Sequence, residues 1–165
     1  MTSSYKKIKG GRSIQLNSEY SNQYSAGGDN GLIDFLKGSS NFRTGYWQGY
    51  YGENFSAIVD LGSIEEVKFI SLGALQDIKS WIWFPKNVKI SIGVNEHGFK
   101  ELASIENDFP DDEYGAFTKE FSKRLNYPIR IRYIKIEAEN YGVCPEWHLG
   151  NGNDTWLFFD EITVE

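Results

Sequence analysis

Short segments in which apolar and polar residues alternate recur along this chain, and they constrain its fold more than any other feature. The clearest one runs from Val88 to Val94, where valine and isoleucine alternate with lysine, serine and glycine. A period of two places successive side chains on opposite faces of an extended backbone, which is the pattern of a half-buried β-strand. Ala57, Val59 and Leu61 alternate in the same way. The chain therefore predicts a strand-rich domain.

Further segments predict strands with irregularities. In 67–72 the apolar phase slips by one residue, which is typical of a β-bulge, and 129–138 changes phase near Tyr133. Residues 156–164 form a final strand rich in aromatic and β-branched residues. Residues 117–125 have apolar side chains four apart, so we interpret them as a strand, with a helical turn as the alternative. Many short strands with polar turns predict an antiparallel β-sandwich or a barrel.

Length and composition bound the class of protein. A chain of 165 residues with 40% hydrophobic and 24% charged residues is typical of one soluble globular domain, and no signal peptide is visible. No apolar run has transmembrane length. The net charge of −6 argues against nucleic-acid binding, which needs clustered basic residues. We interpret Lys6, Lys7, Lys9 and Arg12 as a solvated cluster, with residues 1–10 as a lead-in to a domain spanning 1–165.

The sequence contains no recognisable catalytic motif. Its two histidines, His97 and His148, are far apart, and the single Cys144 excludes an internal disulfide. A glycosidase needs two carboxyl groups that face one bond. Asp160 and Glu161 are adjacent, and on a regular strand their side chains point to opposite faces. We therefore expect a binding domain, not an enzyme.

Five segments resemble, in their order and spacing, the coagulation factor 5/8 type C (discoidin-like) family, which includes the family 32 carbohydrate-binding modules. They are 31–34, 43–49, 57–62, 132–137 and 158–164. The resemblance extends over nearly the whole chain from Gly11 onward. It implies an all-β jelly-roll β-sandwich of the galactose-binding-like type.

A narrower likeness concerns 144–150 and 156–161, which resemble the C-terminal module of Bacteroides-type chitobiases and β-hexosaminidases. This resemblance implies a monomeric, non-catalytic module that binds glycan and accompanies a catalytic domain in the parent chain. Such an enzyme would be secreted, periplasmic or at the bacterial cell surface. The resemblance also implies that the catalytic barrel lies outside this sequence.

The family resemblance also implies a structural Ca²⁺ ion between an early loop and the last strand. Oxygen ligands from carboxylates, hydroxyls and carbonyls suit this ion. The alternative is that no ion binds: Asp34 would then be a turn residue, Thr44 a hydroxyl at the start of a strand, and Glu161 a solvated strand residue. Phe35 stands where relatives usually have glycine, and the following loop is longer than in many of them. The matching positions are the side chains of Asp34, Thr44 and Glu161, with backbone carbonyls near Gly31 and Lys37.

A sugar has an apolar face and polar edges, so its binding needs an aromatic platform and a few hydrogen-bonding groups. Two segments, 76–83 and 141–156, offer both. Trp147 is the better platform candidate, and His148 either bonds sugar hydroxyls or fixes its own loop through a backbone contact. Trp81 and Trp83 are two apart, so we expect them on one side of a strand. The candidate ligand residues are Asp77, Trp81, Tyr141, Trp147, His148 and Asn151.

Three functions compete. The first is a carbohydrate-binding module for galactose- or N-acetylhexosamine-type glycans. The second is a structural domain that packs on the catalytic barrel through exposed aromatic residues and binds no sugar. The third is membrane-lipid binding, which needs apolar side chains with basic flanks and is disfavoured by the net negative charge.

Overall fold

The computed structural model describes residues 11–165, so the basic cluster at 6–9 and the lead-in 1–10 lie outside it. Within this range, no helix has the length and apolar character needed to cross a membrane. The regular elements are short 3-10 helices at Phe42–Thr44 and Ile78–Ser80, and strands β1 (Ser13–Leu16), β2 (Gln48–Tyr51), β3 (Phe55–Gln76), β4 (Asn87–Gly93), β5 (Lys100–Glu106), β6 (Phe117–Ala138) and β7 (Trp156–Val164).

The seven strands pair antiparallel in the order β2-β7-β3-β6-β4-β5, with β1 added on β3. Strands β3 and β6 have 22 residues each, and their ladder is interrupted between Asp60 and Glu65. Before the interruption β3 pairs with β1, and after it β3 pairs with β7. The two long strands therefore pass through both layers of a β-sandwich, which confirms the predicted fold.

The core lies between these layers. The alternating residues of β3 that the sequence marked as apolar are fully buried there, at 0% exposure for Ala57, Val59 and Leu61. Aromatic rings from the other layer and from the loops fill the space between the sheets, each contributing about 1.5–3 kcal/mol on burial. The largest of these side chains are Tyr50, Phe55, Phe84, Phe121 and Phe159.

Most of the predicted strands are confirmed. The segment predicted at 88–94 forms β4 as far as Gly93, but its alternation holds only to Ile90, where a register shift in the pairing with β5 changes the buried face and leaves Val94 54% exposed beyond the strand. The last predicted strand has the bounds of β7. The phase slip in 67–72 corresponds to a register shift between Val67 and Phe69. Residues 117–125 belong to β6, so the helical alternative is wrong.

The expectation for Trp81 and Trp83 is wrong. The strand ends at Gln76, and a one-turn 3-10 helix follows, with Trp81 as its C-terminal cap. Trp81 has φ of +67°, in the left-handed region that bulky residues rarely occupy. This turn breaks the two-residue alternation, so Trp83 alone is buried, at 1% exposure.

A β-bulge in β7 overturns another expectation. Gly73 of β3 lies between residues that pair with Phe159 and with Ile162, so Asp160 and Glu161 together face Gly73. One extra residue on one strand removes the alternation of side chains at that point. The sequence could not locate it, because residues 156–159 are apolar or aromatic on both faces and two adjacent carboxylates follow, so no alternation marks the bulge.

The consequence of the bulge is that two adjacent carboxylates lie against the same loop. The backbone N–H of Phe35 donates to Glu161 and that of Gly38 donates to Asp160, both at 3.0 Å. Both carboxylates are buried and line the same cavity. The inference that Asp160 and Glu161 point to opposite sides is therefore wrong.

The bulge generates a stability prediction at Gly73. A Cβ atom at this position would lie 2.0 Å from Oδ1 of Asp160, which is too close without a shift of the carboxyl group. We expect Gly73→Ala to lower the free energy of unfolding by about 1–3 kcal/mol. In a urea-denaturation double-mutant cycle, Asp160→Ala should recover most of this loss. Additive effects of the two substitutions would contradict the assigned contact.

Candidate functional site

Three loops meet at one end of the sandwich: 77–86, 107–116 and 139–155. The first two are joined by Trp83, whose indole N–H donates to the backbone carbonyl of Asp111 at 2.8 Å. The third joins them through its own hydrogen bonds to both. Because these segments enter from different strands, residues far apart in sequence form one surface here.

Tyr141 fastens the third loop to the second. Its ring stacks on Trp83 with 4.8 Å between centroids and 10° between planes, and its hydroxyl donates to Oδ2 of Asp111 at 2.6 Å. Burial, and then the Asp111 carboxylate, raise the pKa of the Tyr141 hydroxyl. Both Tyr141 and Trp83 therefore act inside the loop framework.

His148 fixes the third loop to the first. Its Nδ1 accepts from the backbone N–H of Gly150 at 2.9 Å, so in the neutral ring the proton is on Nε2, which lies 2.6 Å from the carbonyl oxygen of Ile78. The side chain is only 5% exposed. Of the two predicted roles, the geometry favours the backbone contact over a bond to a ligand.

Trp81 packs under the same loop. A Cβ atom on Gly150 would lie 2.7 Å from Cε2 of Trp81, so glycine permits this close approach. The Trp81 ring also meets His148 edge to face, with 6.4 Å between centroids. A bulky residue held in the left-handed region costs conformational energy, and such strain is found mostly at functional sites.

Two further candidates, Asp77 and Asn151, occupy the margins of this surface. Asp77 is half-buried and forms two backbone hydrogen bonds with Ile82. Burial raises the pKa of its carboxyl group, and Arg43 and Lys79 oppose that rise. Asn151 is exposed, and its backbone N–H donates to the carbonyl of His148.

The exposed apolar residues at this end form what we call the apolar platform: Tyr114, Val143, Trp147 and Leu149. They are exposed by 55%, 53%, 50% and 102%, respectively. The rings of Tyr114 and Trp147 join two loops, with 6.4 Å between their centroids. Sequence analysis identified Trp147 alone, since no local sequence signal marks Tyr114, Val143 or Leu149 as part of a surface.

The second candidate site is the carboxyl group pair on β7. The pKa of Glu161 is raised to about 9, mainly by burial; the N–H of Phe35 opposes the rise, and the nearby Asp34 carboxyl group contributes to it. Burial also raises the pKa of Asp160. Oδ1 of Asp160 and Oε1 of Glu161 are buried without a hydrogen-bond partner. Buried acceptors of this kind fit a cation, which would favour their ionised form.

The structure brings some predicted metal ligands together and not others. Asp34 lies beside Glu161, and Phe35 adopts φ of +65°, the left-handed conformation that glycine favours. The ammonium of Lys37 pairs with Glu120 at 3.5 Å, while the exposed Thr44 donates its hydroxyl to the carbonyl of Asn41. Gly31 is buried.

Among residues 11–165, there is no cluster of three or more His, Cys, Asp or Glu side chains positioned for a metal ion. A cation here would therefore depend on backbone carbonyls as well as on carboxylates. The sequence-based prediction named such carbonyls near Gly31 and Lys37, and it stays a prediction.

The pKa of Glu161 predicts how stability depends on pH in the absence of a cation. Its folded value of about 9 exceeds the ordinary 4.5, so the folded state holds a proton that the unfolded state releases. The stabilisation is complete below about pH 4.5 and is lost as the pH rises toward 9. Urea midpoints measured in EDTA should decrease as the pH is raised from about 4.5 to about 9. Glu161→Gln should remove most of that decrease.

Glu66→Gln, at an exposed position, is the matched control for this measurement. It makes the same chemical change on the surface and should leave the slope unchanged. Equal slopes in the wild type and in Glu161→Gln would contradict the assignment. A small remaining slope is expected from Asp160, whose pKa is raised in the same direction.

Comparison with solved structures finds the same fold in other proteins. No family model and no curated protein matches the sequence. A family 32 carbohydrate-binding module from C. perfringens NanJ, solved with galactose, matches with a TM-score of 0.56 and 17% identity over 93% of this chain and 92% of that chain. A second C. perfringens module of family 32, solved with GalNAc-β-1,3-galactose, matches with a TM-score of 0.56 and 14% identity over 93% and 94%.

A fucolectin from the serum of striped bass, Morone saxatilis, matches with a TM-score of 0.61 and 18% identity, over 97% of this chain and 48% of the lectin chain. Identities this low establish the fold alone. The chain thus has the galactose-binding-like β-sandwich of family 32 modules and fucolectins.

Proposed function

We propose that this chain is a non-catalytic carbohydrate-binding module that holds glycan on the apolar platform. The observation that carries the proposal is the pair of exposed rings, Tyr114 and Trp147, on loops that internal hydrogen bonds fasten to one another. A sugar places its C–H face on such rings and its hydroxyls on polar groups at the edge. The fold shared with sugar-binding structures adds support.

The nearby polar groups define what the edges of a bound sugar would meet. Asn151, Asn153 and Asp154 are exposed in the same loop as Trp147. A ligand on an open surface buries little area, so we expect weak binding of one or two sugar units. We propose galactose- or N-acetylhexosamine-type glycans as ligands.

The biological setting is part of the same proposal. The likeness to chitobiase modules suggests a parent β-hexosaminidase with its own catalytic domain, in a secreted, periplasmic or cell-surface enzyme. The module would act as a monomer that keeps the enzyme near its substrate. Nothing in its role requires chemistry from Asp160 and Glu161, which are buried away from the platform.

Glycan-array screening followed by titration calorimetry tests the binding. We expect Trp147→Ala to weaken binding by about fivefold to a hundredfold, because stacking of a ligand face on an aromatic ring contributes on the order of 1–3 kcal/mol. Since Trp147 is half-exposed, its loss should leave the urea midpoint nearly unchanged. Tyr127→Ala is the control, an 80% exposed ring on β6 outside the platform, and should bind normally.

Failure to bind any glycan on the array would reject the proposal. A specific observation supports the alternative of a structural domain: Val143 and Leu149 are aliphatic and exposed, as at protein interfaces. In that case the parent enzyme with Trp147→Ala would lose stability and not targeting.

We also propose that a Ca²⁺ ion lies beside Asp34 and Glu161. The support is the pair of buried, unpartnered carboxyl oxygens and the raised pKa of Glu161, both of which a cation would relieve. Asp34 and Glu161 would hold the ion with backbone carbonyls of the early loop. Its role would be to tie that loop to the last strand.

Thermal unfolding with and without calcium tests this proposal. We expect calcium to raise the Tm of the wild type at pH 8 and to leave that of Glu161→Gln unchanged, since the amide cannot replace the charge. Thr44→Val tests whether Thr44, which the resemblance names as a ligand, contacts the ion. If Thr44 is a ligand, this variant should bind calcium more weakly; if it is not, calcium affinity should be unchanged. An unchanged Tm in the wild type would reject the calcium site.

A further inference from the structure

The negative charge of this chain is concentrated at the loop end. The loops 77–86, 107–116 and 139–155 contain eight acidic and two basic residues, a net charge of −6 that equals the net charge of the whole chain. The remainder of the sequence is therefore balanced. The platform that we propose as the glycan site lies within the acidic region.

Several of these acidic groups already have partners within the protein. Asp108 pairs with Lys119 and Glu139 pairs with Lys86 at 4.0 Å, so these two charges are partly offset. Asp111 accepts from the neutral hydroxyl of Tyr141, which fastens two loops and leaves the negative charge in place.

Three other carboxylates are exposed, belong to none of the ion pairs found in residues 11–165, and stand one or two residues before a platform ring: Asp112, Glu113 and Glu146. Asp154 is also exposed and outside these ion pairs, but its carboxyl group lies beside Gly52, and Asp77 is half-buried. Asp112 and Glu113 precede Tyr114 by two residues and one, and Glu146 precedes Trp147. Consecutive Cα atoms are 3.8 Å apart, so all three begin within about 8 Å of a platform residue. That distance is about one Debye length at physiological salt.

We propose that these three carboxylates make the platform select glycans by charge. It would bind hexosamine units with a free 2-ammonium group more tightly than N-acetylated units, and it would bind uronic and sialic acids less tightly than either. This inference rests on the proposed glycan binding and adds the class of sugar. The apolar rings supply the stacking, and the acidic edge decides which substituents are tolerated.

The expected size of the effect follows from Coulomb's law. A unit charge at about 8 Å in water changes affinity roughly twofold for each carboxylate, so three together give on the order of tenfold. The effect should be screened by salt, because all three groups are exposed. Lys79 in the neighbouring loop opposes part of it.

Calorimetry with three β-1,4-linked tetrasaccharides tests the inference: glucosamine, N-acetylglucosamine and mannuronic acid, at about pH 6 where the amine is protonated. At low salt we expect each step in that order to weaken binding about tenfold. The order should collapse at high salt. It should also collapse in the variant Asp112→Asn/Glu113→Gln/Glu146→Gln, which should still bind N-acetylglucosamine.

The matched control is Glu19→Gln/Glu66→Gln/Glu101→Gln, which changes the net charge equally at exposed sites outside the three loops. It should keep the order of affinities. An order that is absent in the wild type, or that persists in the loop variant, would overturn the inference while leaving the proposed function intact.

Two further outcomes distinguish failure of charge selection at the platform from failure of glycan binding itself. Glucosamine binding that survives Trp147→Ala would mean attraction between a polycation and an acidic surface, and it would overturn selection at the platform. No binding of any tetrasaccharide or array glycan would reject the proposed function itself.

Discussion

The pairing of β3 with β6 is the constraint on which the rest of the structure depends. Each strand has 22 residues, and their ladder crosses from one layer of the sandwich to the other at the interruption between Asp60 and Glu65. Because both strands serve both layers, their ends lie at the same end of the molecule. The loops that follow them are thereby brought together, although they are separated by many residues in the sequence.

The aromatic residues at the loop end fall into two sets: those whose polar atoms are hydrogen-bonded within the loops, and those whose rings are exposed. Trp83, Tyr141 and His148 have polar atoms bonded within the framework, so they stabilise the loops. Tyr114 and Trp147 lie outside that framework with about half of their surface in water. Rigid support under exposed rings is what a binding surface needs, since little order then has to be gained when a ligand arrives.

The last strand shows how one irregularity changes the chemistry of a region. The bulge opposite Gly73 turns Asp160 and Glu161 toward the same loop, where burial raises the pKa of both carboxyl groups. A regular strand would have directed the two carboxylates to opposite faces of the sheet. The close packing of Asp160 on Gly73 explains why the smallest residue stands there.

The sequence by itself determined the fold class and most strands, because alternation with a period of two directly reflects which face of a strand is buried. It also determined that Trp147 is a surface residue in a glycine-rich loop. Tertiary structure alone decided the partners of His148, the left-handed turn at Trp81 and the bulge at Asp160. These depend on contacts between distant segments, which leave no local periodicity. The acidic residues 111–113 are an example. Their charge is visible in the sequence, but the platform beside them is assembled only in the folded chain.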